Sequence, residues 1–275
     1  MHVTEIIERY DALLIDAYGV LVDGADALPG ARRFVERLHA RAIPFFILTN
    51  DASKLPETSS ARYARCGLEI PAERVITSGS LLTRWFSQHK LQGAETLVLG
   101  PADSASYVRL AGGRPVTIEE TREPEVVVVA DEAGYDFLET LDETLSLLYR
   151  LCDAGRPPRL VLPNPDLVYP KRPGAFGFGA GTIANALHAA LQLRYDAPDL
   201  AFEPLGKPYP PIFEAAVERA GTRNLLMIGD QLATDIAGAQ RFGIDSALVR
   251  SGVTRAVFDG GPQPTWILES VDPEP

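Results

Sequence analysis

One short run near the start of the chain places the strongest limit on its fold. Residues 12–15 are apolar, Asp16 follows them directly, and Gly19 comes three residues later. This pattern is typical of a buried β-strand that delivers a carboxylate to its carboxyl end. Open α/β sheets bind their ligands at that edge. The run therefore predicts an α/β fold with Asp16 in a ligand-binding position.

The rest of the chain alternates between strand-like and helix-like patterns, which predicts βαβ units and a mostly parallel sheet. The further strands are expected at 44–48, 96–99, 125–129, 159–162, 225–229 and 245–249. The helices are expected at 29–40, up to about residue 66, at 136–152, through about residue 193, at about 210–220 and up to residue 242. In the helix at 136–152, residues Leu138 and Leu148 are assigned to one apolar face. The middle segment, 81–203, is expected to bury a core of its own.

Charge and composition exclude several classes of function. The net charge of −11 opposes binding to the phosphate backbone of a nucleic acid. Two cysteines are too few for a disulfide framework. No apolar stretch approaches the roughly 18 residues of a membrane span, and the first residues do not resemble a signal peptide. We therefore expect a cytoplasmic protein with a small-molecule partner.

Two more of the predicted strands end in polar groups. Thr49 and Asn50 follow the strand at 44–48, and Asp230 follows the strand at 225–229. If these strands are parallel neighbours of the first, all their ends meet at one edge. The carboxylates of Asp16 and Asp230 would then repel each other unless a divalent cation lay between them, and such oxygen ligands suit Mg²⁺. Asp235, five residues later, is placed to hold a metal-bound water.

Further residues provide the means to hold a phosphoryl group. Thr49 and Asn50 offer polar side chains and backbone N–H groups at a strand-to-helix junction, where anions bind. Lys207 offers a compact positive charge ahead of a predicted helix. A carboxylate nucleophile, a metal, a hydroxyl and a lysine together are the parts needed for phosphoryl transfer through an aspartyl-phosphate.

At these residues the chain resembles the haloacid dehalogenase (HAD) superfamily, and within it the class IIA capped phosphatases. The resemblance runs the full length of the chain. Each motif alone is a weak signal, but four motifs in this order are specific for the family. The motifs lie at 16–20, 48–50, 206–208 and 229–235, and a cap signature lies at 164–166.

The resemblance implies a Rossmann-like parallel-sheet core made of residues 1–80 plus 204–275. It implies an inserted α+β cap of the C2 type at 81–203, through which such proteins often form homodimers. In the cap, Asn164 and Asp166 are expected to shape a loop near the substrate.

The resemblance also assigns roles to the core residues. Asp16 would be the nucleophile and a ligand of Mg²⁺, and the other ligands would be the backbone carbonyl of Tyr18 and the side chain of Asp230. The phosphoryl group would be held by Thr49, Asn50 and Lys207.

Tyr18 departs from the pattern of these phosphatases. They have an aspartate two residues after the nucleophile, which serves as general acid and then as general base. A phenol with an ordinary pKa near 10 is a poor base at neutral pH. We therefore expect weakened catalysis for esters whose leaving group needs a proton.

Two alternatives remain open at this stage. The Asp-Ala-Tyr-Gly run is similar to the first motif of true haloacid dehalogenases, which cleave carbon–halogen bonds without a metal. A protein that binds a phosphorylated metabolite without turning it over is the other alternative. The Gly-Asp-x₄-Asp arrangement at 229–235 favours phosphate chemistry.

Overall fold

The computed structural model describes residues 3–23, 26–172, 175–196, 200–254 and 260–274. The α/β class and the Rossmann-like parallel core are confirmed. The strands are β1 (Ala12–Ile15), β2 (Phe45–Thr49), β3 (Val75–Thr77), β4 (Glu95–Leu99), β5 (Arg114–Val116), β6 (Val126–Val129), β7 (Arg159–Leu162), β8 (Val168–Arg172), β9 (Ala175–Phe178), β10 (Glu203–Pro204), β11 (Leu225–Gly229), β12 (Asp245–Val249) and β13 (Trp266–Leu268). The α-helices are α1 (Ala31–Ala40), α2 (Pro56–Arg65), α3 (Leu82–His89), α4 (Ala102–Leu110), α5 (Phe137–Asp153), α6 (Ala180–Gln192), α7 (Pro210–Ala220) and α8 (Ala237–Phe242).

The larger sheet has six strands in the order β13-β12-β11-β1-β2-β3. Its strands pair in parallel, and β1 lies between β11 and β2. The carboxyl ends of these three strands therefore meet at one edge, although the chain brings β11 in from near its other end. This arrangement positions the candidate site.

The second sheet is formed by strands from the middle of the chain. Its order is β10-β7-β6-β4-β5, and these strands also pair in parallel. The strands β8 and β9 form a separate antiparallel hairpin. The sequence pattern did not predict β3, β5 and β13, because three residues are too few to establish a periodicity.

Each central strand serves two hydrophobic cores, because successive side chains point to opposite faces of a sheet. In β1, Leu13 packs into the core on one face and Leu14 into the core on the other. In β6, Val127 packs into a core of the second sheet alone, whereas Val128 joins the same cluster as Leu14. The middle segment thus has its own core, as predicted, and also shares an apolar cluster with the larger sheet.

Two details of the helices differ from the sequence-based prediction. Helix α1 begins at Ala31, so Pro29 precedes it, and Gly30 adopts the left-handed conformation at the turn into the helix. In α5, Leu148 is buried as expected, but Leu138 is 69% exposed. The buried stripe of α5 runs through Thr140, Thr144, Leu147, Leu148 and Leu151. Leu138 lies in the first turn of the helix, outside this stripe.

Among the described residues, no helix combines the length and the hydrophobicity needed to cross a lipid bilayer.

We expect the substitutions Leu148→Ala and Leu138→Ala, both within α5, to differ sharply in their effect on stability. Removing the fully buried Leu148 side chain leaves a cavity and should lower the free energy of unfolding by about 2–5 kcal/mol. The exposed Leu138 should change it by about 0.5 kcal/mol or less. Urea unfolding followed by circular dichroism measures both values. Equal losses would contradict the assigned buried face of α5.

Candidate active site

Three polar side chains follow neighbouring strands at one edge of the larger sheet. Asp16 comes directly after β1, and its backbone N–H donates to the carbonyl of Ile228 in β11 at 2.8 Å. Thr49 ends β2, and Asp230 comes directly after β11. All three side chains are buried. The structure thus brings together the strand ends that the sequence predicted to meet.

Three carboxylates converge at this edge. Asp16, Asp230 and Asp235 each offer one oxygen, and these oxygens lie within 4.8 Å of one another. Burial raises the pKa of Asp16 to about 7, against the lowering effect of Lys207. Burial also raises the pKa of Asp230 well above its ordinary value, and the charges of Asp16 and Asp235 add to the rise. Ionising these carboxyl groups together is therefore unfavourable unless a further positive charge lies beside them.

The residues at this position fit a bound Mg²⁺ ion. One oxygen of Asp230, Oδ2, accepts the backbone N–H of Val253 at 2.6 Å. The other oxygen, Oδ1, is buried and has no hydrogen-bond partner among the described residues. A buried polar atom without a partner is costly, and a hard cation would satisfy it. The role of the Tyr18 carbonyl as a metal ligand stays a prediction.

Lys207 connects two of the carboxylates. Its ammonium group donates to Oδ1 of Asp16 and to Oδ1 of Asp235, at 2.7 Å in both cases. The side chain is 2% exposed, so it is not a surface lysine. Burial lowers the pKa of Lys207, but Asp16 and Asp235 raise it by more, and the group stays charged. The second oxygen of Asp235 accepts the backbone N–H of Gln231 at 3.0 Å, which fixes the carboxylate against the lysine.

The side chain of Asn50 links three segments. Its Oδ1 accepts the backbone N–H of Lys207 at 2.7 Å. Its Nδ2 donates to the carbonyl of Lys207 at 2.9 Å and to Oδ1 of Asp166 at 2.8 Å. A side chain on Gly206 would overlap Oδ1 of Asn50, so this close approach requires glycine. The carboxamide of Asn50 is thus engaged within the protein.

The loop at 164–166 brings the second sheet to the site. Oδ1 of Asn164 accepts the backbone N–H of Asp166 at 3.0 Å, which turns the loop toward Asn50. Burial raises the pKa of Asp166 to about 6, although Lys207 and Asn50 oppose the rise. Side chains at Gly179 and Gly181 would overlap the backbone of this loop. These two glycines therefore allow the start of α6 to pack closely against the loop.

The hydroxyl of Tyr18 is fixed by an arginine from α2. Nη1 of Arg62 donates to the hydroxyl at 2.6 Å, and the guanidinium carbon lies 4.8 Å from the ring centre. Burial and the charge of Asp51 raise the pKa of Tyr18 above its ordinary value. The phenol is therefore neutral near pH 7 and still less suited to act as a base.

A cavity of about 210 Å³ opens at this edge of the sheet. The larger sheet and its loops contribute Asp16, Tyr18, Thr49, Asn50, Asp51, Ser53, Lys54 and Gln231 to its walls. The second sheet, its loops and the hairpin contribute Asp131, Glu132, Asn164, Asp166, Tyr169 and Gly179. The volume suits a small polar molecule held between the two sheets.

Several of these cavity residues were not predicted from the sequence. Asp131 and Glu132 come shortly after the strand β6, much as Asp16 comes directly after β1. The pattern of an apolar strand followed by an acidic residue could therefore have predicted them. Lys54 lies five residues after Thr49, in the loop already assigned to phosphate. Tyr169 and Arg62 carry no comparable signal, because the first lies on a hairpin and the second inside a helix.

We predict that Gly19→Ala impairs metal binding. Gly19 has a φ of +81°, and a side chain there would overlap the carboxylate of Asp230. Gly93 also has a φ of +81°, but open space surrounds it, so Gly93→Ala is a matched control. Both substitutions should cost about 1–2 kcal/mol through backbone strain. Only Gly19→Ala should lose the rise in melting temperature that Mg²⁺ produces, as measured by calorimetry. A full Mg²⁺ response in Gly19→Ala would contradict this placement of Asp230.

Comparisons with known proteins agree with this geometry. A dihydroxyacetone phosphatase from Corynebacterium glutamicum is 30% identical over 245 residues, which are 88% of this chain and 81% of that protein. The crystal structure of a possible sugar phosphatase of the HAD superfamily from Cytophaga hutchinsonii superposes with a TM-score of 0.86 at 29% identity, covering 98% of this chain and 97% of that one. A glycerol phosphate phosphatase from Mycobacterium tuberculosis, solved in complex with magnesium, gives a TM-score of 0.78 at 28% identity over 97% of this chain and 76% of that one.

The family models cover the two parts of the chain that build the larger sheet. The model for haloacid dehalogenase-like hydrolases matches residues 13–114. A second model, for HAD-like hydrolases, matches residues 204–273. Between them they contain Asp16, Lys207 and Asp230, which the fold brings to one edge. The chain belongs to the haloacid dehalogenase-like hydrolases.

Proposed function

We propose that the protein is a Mg²⁺-dependent phosphatase that hydrolyses a small phosphorylated metabolite through an aspartyl-phosphate. The observation that carries this proposal is the set of three buried carboxylates beside Lys207, in which Oδ1 of Asp230 has no partner within the described part of the chain. The similarity to phosphatases of dihydroxyacetone phosphate and glycerol phosphate supports it. A polar cavity between the two sheets is consistent with a hydroxyl-rich leaving group.

The chemistry follows from the positions of the residues. The carboxylate of Asp16 attacks phosphorus, the bond from phosphorus to the leaving oxygen breaks, and the bonding pair stays on that oxygen. Lys207 holds Oδ1 of Asp16, so Oδ2 is the oxygen free to attack. Thr49 and the backbone at Asn50 hold the transferred phosphoryl group. Water then attacks the phosphorus of the aspartyl-phosphate, releasing phosphate and restoring Asp16.

Asp16 and Asp230 would hold the magnesium ion. Asp235, which accepts a hydrogen bond from Lys207, would lie next to these two carboxylates. When bound, the ion offsets the charge of the carboxylates and of the phosphoryl oxygens. The residues of the chain do the rest, since they orient Asp16 and hold the phosphoryl group.

We also propose that residues 81–203 act as a cap over a core of 1–80 plus 204–275. Asn164 and Asp166, and the acidic pair Asp131 and Glu132, line the cavity from the cap side. The cap would thus select the leaving group. A homodimer formed through the cap and a cytoplasmic location stay predictions from the sequence.

We expect Asp16→Asn to abolish phosphatase activity, because the amide cannot attack phosphorus. Chelation of divalent cations with EDTA should also remove the activity, and added Mg²⁺ should restore it. Asp136→Asn, at an exposed position before α5, is the matched control and should retain full activity. A screen of phosphate esters with a phosphate-release assay measures all three. Release of halide from a haloacid that survives EDTA would favour the dehalogenase-like alternative, and ligand binding without any turnover would favour a binding protein.

We expect Tyr18 to make the rate depend strongly on the leaving group. Nitrophenyl phosphate and acetyl phosphate should be hydrolysed faster than glycerol phosphate, because their leaving groups need no proton. The loss of a general acid–base group typically costs about 10²–10⁴-fold. Nitrophenyl phosphate should also give a burst of product, since hydrolysis of the aspartyl-phosphate lags its formation.

Tyr18→Asp should raise the rate for glycerol phosphate, whereas the control Tyr18→Phe should not. Stopped-flow measurement of nitrophenolate and steady-state kinetics on both esters give these values. Equal rates for alkyl and aryl esters without a burst would contradict this role of Tyr18.

A further inference from the structure

Lys54 lies in the cavity but has no role in the function proposed above. It follows β2 in the same loop as Thr49 and Asn50, and it lines the cavity together with Asp16. Its side chain is 31% exposed, so part of it is covered and part faces the cavity. A lysine in this position can contact a substrate.

The ammonium group of Lys54 is fixed in place. It donates to Oδ2 of Asp51 at 3.0 Å and to the hydroxyl of Ser53 at 2.9 Å. Burial lowers the pKa of Lys54, but the charge and hydrogen bond of Asp51 and the other acidic groups nearby together raise it above its ordinary value, so the group stays charged at neutral pH. Lys54 is therefore a permanent positive charge with a defined position.

Lys54 and Tyr18 line the same cavity. Burial and the charge of Asp51 raise the pKa of the Tyr18 hydroxyl, whereas the positive charges of Lys54 and Arg62 oppose the rise. Arg62 also donates to this hydroxyl at 2.6 Å. Tyr18 occupies the position where related phosphatases have the acid that protonates the leaving group. Two positive charges therefore act on the position where that acid would lie.

Helix α4 of the second sheet holds the backbone on which Lys54 lies. The hydroxyl of Ser104 donates to the carbonyl of Ala52 at 2.8 Å. The hydroxyl of Tyr107 donates to the carbonyl of Lys54 at 2.6 Å. The carboxylate of Asp103 accepts the backbone N–H of Leu55 at 3.0 Å. Three successive bonds thus fix the loop at 52–55 to a helix outside the larger sheet.

We propose that Lys54 is a catalytic residue that stabilises the leaving oxygen, and that Ser104 and Tyr107 are positioning residues for it. As the bond from phosphorus to oxygen breaks, its electron pair stays on the leaving oxygen, and the ammonium group of Lys54 donates a hydrogen bond to it. The leaving oxygen then takes its proton from a water molecule, and the resulting hydroxide is neutralised by the solvent. Lys54 keeps its proton throughout. This inference rests on the proposed phosphatase function.

The test compares Lys54→Met on two esters. For glycerol phosphate, whose leaving group is strongly basic, kcat should fall about 10²–10³-fold, as it does when one fixed donor to a developing oxyanion is removed. For nitrophenyl phosphate, whose leaving group is a weakly basic phenolate, kcat should fall less than about 10-fold. Lys54→Arg keeps the charge and should recover most of the rate for glycerol phosphate. Equal losses on both esters would overturn the proposal.

Two serines on α4 provide a matched test of positioning. Ser104 bonds to the loop at Ala52, whereas the described partners of the Ser106 side chain, Ala102 and Arg109, both lie within its own helix. Ser104→Ala should lower kcat for glycerol phosphate more than for nitrophenyl phosphate, with little change in KM, and Tyr107→Phe should do the same. Ser106→Ala should change neither. Equal kinetics of the two serine variants would overturn the positioning role.

The outcomes separate this inference from the function on which it rests. If the wild-type protein hydrolyses no phosphate ester, or if Asp16→Asn retains activity, the proposed function fails. If the wild-type protein is active and Asp16→Asn is not, a uniform loss in Lys54→Met refutes only the role of Lys54. Melting temperatures of all variants, measured in the same buffer, separate loss of folding from loss of catalysis.

Discussion

A single buried ammonium group holds the catalytic edge of this protein together. Lys207 reaches Asp16 after β1 and Asp235 after β11, at 2.7 Å in each case. These carboxylates and that of Asp230 are removed from water, which is costly unless each charge has partners. One lysine cannot offset three acids. The buried carboxylates therefore need a further cation beside Lys207. Because the fold itself brings these carboxylates together, the requirement for a metal ion follows from the fold.

The loop after β2, to which we assign phosphate binding, is the second element on which the site depends. On one side Asn50 joins it to Lys207 and to the loop at Asp166. On the other side, Ser104 and Tyr107 of α4 hold its later residues. The shared apolar cluster beneath it, which includes Leu14, Val128 and Phe86, joins the two sheets. The middle segment is thus part of the framework of the candidate site.

The sequence alone predicted much of this arrangement. Buried strands such as β1 and β11 are continuous apolar runs, and the residue after each run is a carboxylate, so Asp16 and Asp230 could be assigned to one edge. The pairing of Asn50 with Asp166 could not be predicted, because it depends on how closely a loop of the second sheet approaches β2. Leu138 was assigned to the wrong face, since helical spacing does not show where the partner sheet ends. The position of Arg62 over Tyr18 likewise depends on tertiary packing.

The loop at 49–55 is held by hydrogen bonds from both sheets, and this limits where the sequences of related proteins can diverge. A segment bonded to two partners tolerates few changes, because a new residue must suit both. Asp131, Glu132 and Tyr169 face the same cavity from the opposite wall, in a connection and a hairpin. Substitutions there alter the shape offered to an incoming molecule and leave the anion-holding backbone undisturbed. New preferences for metabolites should therefore arise in evolution on that wall, while the chemistry stays the same.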